Sequence, residues 1–580
     1  MNPPANRRRG WFGAGLLAAA LILGAALAGL GLQTLSNPLP INVRQQTPGD
    51  SIQFTIDRTR SLFAADCLQL VWAVDGASEI VIGEVAVSPS GERGHCDGSA
   101  PSIRVSFENG ATFAQVYYHW ALFDQPMAHF LLFGGLLCAV GGLWLVGAGE
   151  WPIWRATIIQ YAFVITFAIA FTAIIDLFTN SLNTNRYTWD WVHYIDMAEH
   201  GITGNAGLVS PYAYRPLPPL LAGLIGDLSG RSFVAGFRAL AYAGAISQIV
   251  LAFALARLFI TRQSKRFWGA FAVAMIAAFS TFSVKFYLFD TFRTDPLAFP
   301  LVLLGMIGLT QHVRRAGSGL PTLGWDVVIV LSGVVGALIR EFAAIPAGLL
   351  IVILAQQAWR ERQAKPILKA LIISGILGLA FVLPRVLISV SRSDQLFDVI
   401  TMPELITMWR RNLNIGLGVL IALLPVWMLL TPRRIKVAWA ALRGLRLSIF
   451  IYTATALALS FLGGTDIARF MGFLLPVVVI LCALLVDEVR SAWEVSYAVL
   501  AWAIYNRSFS VVPMENIDAY LDFYVVYWNR QTDATWLRVG EAAGWVIGSV
   551  LLRVLCLRKR DEAVEAKPNA QKVQTASLHG

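Results

Sequence analysis

The chain has 580 residues, of which 56% are hydrophobic and only 14% charged, and its mean hydropathy is +0.61. A water-soluble fold of this length cannot carry that balance without very large exposed apolar patches, so a soluble globular protein is excluded. The formal net charge of +10 gathers beside the apolar runs, and no aromatic-interleaved basic stripe suited to nucleic acid is present.

Apolar runs long enough to cross ~30 Å of hydrocarbon recur from end to end. The sequence predicts about fourteen crossings, near 11–33, 127–148, 155–178, 234–260, 267–286, 296–312, 325–339, 342–358, 368–391, 413–431, 446–462, 469–487, 495–512 and 538–557. Arg7 to Arg9, Arg262 with Lys265 and Arg266, Arg314 with Arg315, Arg360 to Lys369, Arg433 with Arg434 and Lys436, and Arg558 to Arg560 fall on alternate loops. The excess of positive charge on cytoplasmic loops then places both termini in the cytoplasm of a multi-pass protein of the plasma (inner) membrane. The first run is long and uniformly Leu, Ala and Gly, which favours a retained anchor over a cleaved leader.

Residues 34–126 form the one sizeable polar block. Alternation in Ser51–Ile56, Leu68–Val74, Glu79–Ile82, Ile103–Phe107 and Phe113–Tyr118 has the period of half-buried strands separated by Asp-Gly, Gly-Glu and Asn-Gly turns. A small extracytoplasmic β-sandwich is predicted, with Cys67 and Cys96 on the side where a disulfide persists and therefore paired. Cys138, Cys482 and Cys556 lie in apolar runs and read as small core residues. The chain thus divides into an N-terminus and anchor (1–33), the sandwich (34–126), a second crossing with its cytoplasmic turn (127–154), a helical membrane core (155–490), a C-terminal pair with an outer loop (491–557) and a polar cytoplasmic tail (558–580).

Ionisable residues near a membrane are costly and point to function. Four sets fall on the outer side. The first holds Trp189, Asp190, Trp191, His193, Tyr194, Asp196, Glu199 and His200, followed by Tyr212, Tyr214 and Arg215 among prolines. Spacings of three and four give the first part a polar face if it is helical, although aromatic residues at an interface need no ligand to explain them. The second set is Asp290, Arg293 and Asp295, where Asp295 before Pro296 suits a helix start. Asp290 and Arg293 have no such local explanation. The third, Arg340 and Glu341, separates two short apolar runs like a broken, reversing pair, and burying them as an ion pair would be expensive. The fourth, Asp466 and Arg469, lies in a Gly-rich turn and suits an i, i+3 pair that caps the next helix.

Arginines in this set suit a phosphate, which a guanidinium binds through a planar fork. A carboxylate within reach suits the removal of a proton from an attacking hydroxyl, and aromatic faces suit a sugar ring.

Trp189-Asp190, His193-Tyr194 and Met197 to Gly201, followed by Tyr214-Arg215-Pro216-Leu217-Pro218-Pro219, resemble the first extracytoplasmic loop of GT-C superfamily membrane glycosyltransferases. The wording is nearest that of mannosyltransferases and bacterial relatives that use polyprenyl- or dolichyl-phosphate sugars. Ala337 to Glu341 and Asp466 to Phe470 resemble later segments of such enzymes, so the resemblance covers residues 155–490. It implies an α-helical polytopic membrane fold, a polyprenyl-phosphate-linked hexose donor, a glycan, lipid or protein acceptor, and inverting transfer on the outer face. The loop acid corresponds to Asp190 as general base, with Asp196 or Glu199 as alternates. Arg215, Arg293, Arg340 and Arg469 become the candidates for the donor phosphate, with His193, Tyr194, Tyr214, Asp290, Glu341 and Asp466 as substrate-binding neighbours.

Several features depart from that pattern. The first loop lacks an Asp-Asp or Asp-Glu pair, Tyr-Arg-Pro stands where Tyr-Pro-Pro is usual, and a polar domain is added. Metal use stays open, since carboxylates such as Asp190 and Asp290 would suit Mg²⁺ or Mn²⁺. In the block around Cys67, Trp72 and Asp75-Gly76 the sequence also loosely resembles immunoglobulin-like modules. Two other functions make different demands on the sequence. A transporter or flippase would show charges near mid-membrane and matching broken halves, and an envelope-assembly scaffold leaves the acidic loop unexplained.

Overall fold

The computed structural model describes strands within residues 51–120, then residues 153–177, 179, 191–202, 208–210, 212–229, 233–280, 283–390, 409–462, 471–489, 491–510 and 535–555. Asp190, Asp466, Arg469, Cys67, Cys96 and the expected crossings 11–33 and 127–148 lie outside the described residues.

Seven strands precede the helices: β1 (Ser51–Thr55), β2 (Leu68–Asp75), β3 (Ala77–Ile82), β4 (Val85–Val87), β5 (Ser90–His95), β6 (Ser102–Phe107) and β7 (Phe113–Trp120). They form a four-stranded sheet in the order β1-β6-β3-β4 and a three-stranded sheet in the order β5-β2-β7. Every pairing is antiparallel. The sequence pattern missed β4, which is too short to alternate, and β5, whose Ser-Gly-Glu-Arg-Gly-His run carries no apolar face.

The helices are α1 (Ile153–Leu177), α2 (Trp191–His200), α3 (Leu217–Ser229), α4 (Phe233–Phe259), α5 (Arg266–Ala278), α6 (Val284–Phe289), α7 (Asp295–Gly317), α8 (Leu323–Ala337), α9 (Ile345–Glu361), α10 (Ala364–Leu387), α11 (Trp409–Ala422), α12 (Leu424–Leu429), α13 (Pro432–Ala441), α14 (Arg446–Leu462), α15 (Leu475–Glu488) and α16 (Ala492–Tyr505). A further helix, α17, covers residues 535–555. Among the described residues, five helical segments are long and apolar enough to cross a membrane, within α1, α4, α7, the Glu341–Glu361 stretch ending in α9, and α10. The bent pair α13 and α14 would make a sixth. The chain is a multi-pass membrane protein. The expected count of about fourteen crossings reaches beyond these helices.

Two expected crossings are interrupted for identifiable reasons. The run 267–286 divides into α5 and α6 because side chains enter the helix ladder. Gln248 of α4 donates to the Ala277 carbonyl at 3.3 Å and to the Ser283 hydroxyl, and Ser283 donates to the same carbonyl at 2.7 Å. The Ala277 carbonyl at the break is therefore satisfied inside the bundle, as hydrocarbon requires. The run 413–431 divides at Leu423 because Pro425 sits in the first turn of α12, where its missing N–H and its ring cannot continue α11.

The 27 residues of α4 form the central post, touching α1, α3, α5, α6, α7 and α15. Lipid tails are as apolar as leucine, so close packing rather than water exclusion holds such helices together. Gly236 and Gly244 supply it: a Cβ at Gly236 would overlap the Ala222 carbonyl of α3, and one at Gly244 the Pro296 carbonyl of α7. Gly244→Val is expected to destabilise the fold by about 1–3 kcal/mol through overpacking, read as an earlier thermal unfolding transition in detergent. Cys482 is buried, in keeping with its reading as a core residue.

Ion pairs gather at the two ends of the bundle. At one end, Thr261 and Arg262 cap the Asp487 carboxylate through backbone N–H groups at 3.1 Å each. Arg262 also pairs with Glu488 at 2.7 Å, and Glu494 is held by Arg434 at 2.9 Å and Arg553 at 3.0 Å. Asp326 there meets His312 and Lys369. At the opposite end, Asp176 of α1 accepts hydrogen bonds from Arg238 and Tyr242 of α4, both at 2.8 Å. Arg507 pairs with Glu541 at 2.9 Å, and the Lys285 ammonium donates to the Arg507 and Ser510 carbonyls. Each pair joins segments that the alternation of charged loops assigns to one side of the membrane.

Candidate functional site

The segment before α3 is shaped by its prolines. Tyr212–Tyr214 makes one 3-10 turn, closed by the Arg215 N–H on the Tyr212 carbonyl at 3.0 Å. Proline then dictates where α3 can begin. The Leu217 N–H reaches the Leu338 carbonyl at 3.3 Å, which brings this turn against the reversal between α8 and α9.

That reversal supplies the key geometry. After α8, Arg340 is extended, with φ −165° and ψ 129°, and Glu341 opens a 3-10 turn, Glu341–Ala344, that runs into α9. Successive side chains of extended backbone point to opposite sides, so Arg340 and Glu341 face apart. The mutual ion pair that their adjacency suggested does not form; each has its partner elsewhere.

Glu341 faces outward to two arginines. Arg215 Nε donates to Glu341 Oε2 at 3.1 Å, with its NH2 group at 3.0 Å from the same oxygen. Its NH1 group donates to the Tyr194 hydroxyl at 3.3 Å. Arg385, at the end of α10, stands 3.7 Å from Glu341 Oε1 and lies over the Tyr214 ring at 4.8 Å. The side chains of Glu341 and Arg385 are 30% and 31% exposed, so this Arg-Glu-Arg group is open on one side.

Arg340 faces inward. It pairs with Asp295, whose side chain is fully buried, and its guanidinium lies 5.6 Å from the Phe342 ring and 6.0 Å from the Phe473 ring. Those rings meet at 3.8 Å, which brings the 3-10 turn Gly472–Leu474 against the reversal. Asp295 also occupies the first turn of α7, as a helix start signal should. Asp290 and Arg293, which lacked a local explanation in sequence, form an i, i+3 ion pair at 2.6 Å with both side chains buried.

The first outer helix separates its polar residues. Tyr194 and Met197 of α2 are buried in an apolar cluster with Ala213, Phe237, Phe292 and Ile388. His193 stacks on Tyr212 with ring centroids 4.7 Å apart. Asp196 and Glu199 fall on the opposite side of α2 from Tyr194 and Met197, where Asp196 meets His200 at 3.2 Å and Glu199 is exposed. Helical spacing grouped these carboxylates with Tyr194; burial parts them.

The structure thus brings together Tyr194, Tyr214, Arg215 and Glu341, and adds Arg385, which the sequence reading passed over. A lone arginine near the end of an apolar run reads as a snorkelling flank; the signal against that reading was its position on the outer side, away from the cationic loops. Arg293 and Arg340 sit in buried ion pairs with Asp290 and Asp295. Among the described residues, no three His, Cys, Asp or Glu side chains gather closely enough to hold a metal ion.

No family model matches the chain, and no curated protein matches it. Among solved structures, it is similar to the arabinosyltransferase EmbB from Mycobacterium smegmatis at 12% identity, with 94% of this chain covered and a TM-score of 0.37. The chain spans 61% of that protein's length.

Proposed function

We propose that this chain is a membrane glycosyltransferase that moves a hexose from a polyprenyl-phosphate donor to a hydroxyl of a glycan, lipid or protein acceptor, with inversion. The observation that carries the proposal is the half-open Arg215-Glu341-Arg385 group at one end of the membrane bundle, beside Tyr194 and Tyr214. The reading puts that end on the extracytoplasmic face of the plasma (inner) membrane and the cationic loops, with both termini, in the cytoplasm. The polar block of residues 34–126 is then an extracytoplasmic, immunoglobulin-like sandwich with Cys67 bonded to Cys96.

The chemistry follows from charge. An acceptor oxygen attacks the anomeric carbon as the bond from that carbon to the phosphate oxygen breaks, and Asp190 takes the acceptor proton. The departing lipid phosphate gains one negative charge, so cations beside it bind the transition state more tightly than the ground state. Arg385, 31% exposed, is the open cation of the group, and Arg215, held by Glu341 and Tyr194, stands behind it. Glu341 holds their planes in place, and the Tyr214 ring fixes Arg385 from below. Arg469, also assigned from the sequence resemblance, takes a place beside the phosphate in this reading, with Asp466 next to it. His193 and the aromatic rings at Tyr194, Tyr212 and Tyr214 offer flat faces to the sugar.

The test is hexose transfer by purified protein in lipid, supplied with a short-chain polyprenyl-phosphate hexose and followed by mass spectrometry. Free polyprenyl phosphate should accumulate with glycosylated product, and Arg385→Gln should lower kcat/KM about 10-fold to 100-fold, the worth of one charge-assisted contact. No turnover with any donor, in protein shown to be folded, would refute the reading.

A further inference from the structure

We infer that α13 is a surface-lying helix whose basic flank binds the headgroups of anionic phospholipids. The axes of α13 and α14 differ by 107° across a short break, so where α14 runs along the membrane normal, α13 lies nearly in the membrane plane. The bend is braced: Arg446 Nε and NH2 donate to the Trp439 carbonyl at 3.0 and 2.7 Å, and its guanidinium covers the Trp439 ring at 4.6 Å. At the other end, the Thr431 hydroxyl caps the Arg434 N–H at 3.2 Å.

The helix buries a narrow stripe. Arg434 and Ala438 are buried, with Leu442 following, and this stripe packs on α15. Arg434 is committed to Glu494 through two hydrogen bonds, at 2.9 and 3.2 Å. What remains divides by helical spacing, with Val437, 39% exposed, beyond Arg433 on the far side. Ile435, 46% exposed, and Trp439, 59% exposed, share one flank; Arg433 and Lys436, both exposed, share the next. Arg443 extends the basic side beyond the helix. An apolar flank beside a cationic one, on a helix lying across the ends of crossing helices, fits the boundary between acyl chains and headgroups. The occupant is anionic lipid because the exposed charges on the helix are all positive.

The test uses the full chain and counts phosphatidylglycerol and phosphatidylcholine retained by the intact protein in native mass spectrometry. Wild-type protein should prefer phosphatidylglycerol. Arg433→Gln/Lys436→Gln/Arg443→Gln should weaken that binding roughly a hundredfold, at about fivefold per surface charge, while Arg433→Lys/Arg443→Lys should retain it. Arg360→Gln/Arg362→Gln, which removes charge from a different cationic loop, should leave it unchanged. The inference fails if wild-type protein shows no preference for the anionic lipid, a result that needs no variant. It fails equally if the triple variant binds as wild type does, if the Arg360 and Arg362 variant loses as much, or if soluble glycerol phosphate competes as well as the lipid.

Discussion

Asp190→Asn is expected to lower hexose transfer by about 10²-fold to 10⁴-fold, the usual worth of a positioned general base, with the thermal unfolding transition left in place. The amide is nearly isosteric with the carboxylate but cannot take a proton. Asp190 immediately precedes α2, a position from which Asp and Asn cap a helix about equally well. A role confined to holding α2 would therefore survive the substitution, whereas a role as base would not. Wild-type turnover by the variant would remove Asp190 from the chemistry. The Asp196→Asn and Glu199→Gln variants are expected to stay within a fewfold of wild type, because those side chains stand across α2 from Tyr194.

Asp295→Ala should cost about 3 kcal/mol or more of stability, since it strands a buried guanidinium. Arg340 and Asp295 side chains are 7% and 0% exposed, so solvent does little to soften the loss. Asp295→Leu combined with Arg340→Met should recover most of it, because removing both charges together leaves nothing unpaired to desolvate. The comparison is made by thermal unfolding in one detergent. Transfer by the double variant then separates two roles for Arg340. A structural partner of Asp295 allows activity within about tenfold of wild type, whereas a phosphate ligand would be missed more than that. A single variant as stable as wild type would show that the pair does not hold α7 to the reversal.

Local signals were legible in the sequence wherever one segment decides its own conformation. The run 234–260 marked α4, Asp295 before Pro296 marked the start of α7, and Gly336 to Phe342 read as a reversal between two helices. Partnerships between distant segments were not legible. Glu341 meets Arg215 across 126 positions, and nothing near either residue names the other. Arg293 looked unclaimed because its partner Asp290 could equally have faced a ligand. The break between α5 and α6 was invisible because the side chain that enters it, Gln248, belongs to a different helix. Helical spacing also grouped Asp196 and Glu199 with Tyr194; only packing revealed which side of α2 is covered.

One extended residue separates the open Arg215-Glu341-Arg385 group from the sealed Arg340-Asp295 pair. Because the peptide unit between them is planar and stiff, any turn of that unit moves the stems of Arg340 and Glu341 together. A ligand held by the outer group should stabilise the fold by a free energy that grows as the logarithm of one plus the ratio of ligand concentration to Kd, read as a higher melting temperature. Asp295→Leu with Arg340→Met should leave that gain in place where the ligand's affinity is unchanged. The reversal thus acts as a partition as well as a scaffold: a single residue step separates a carboxylate open on one side from a guanidinium locked in the bundle's interior.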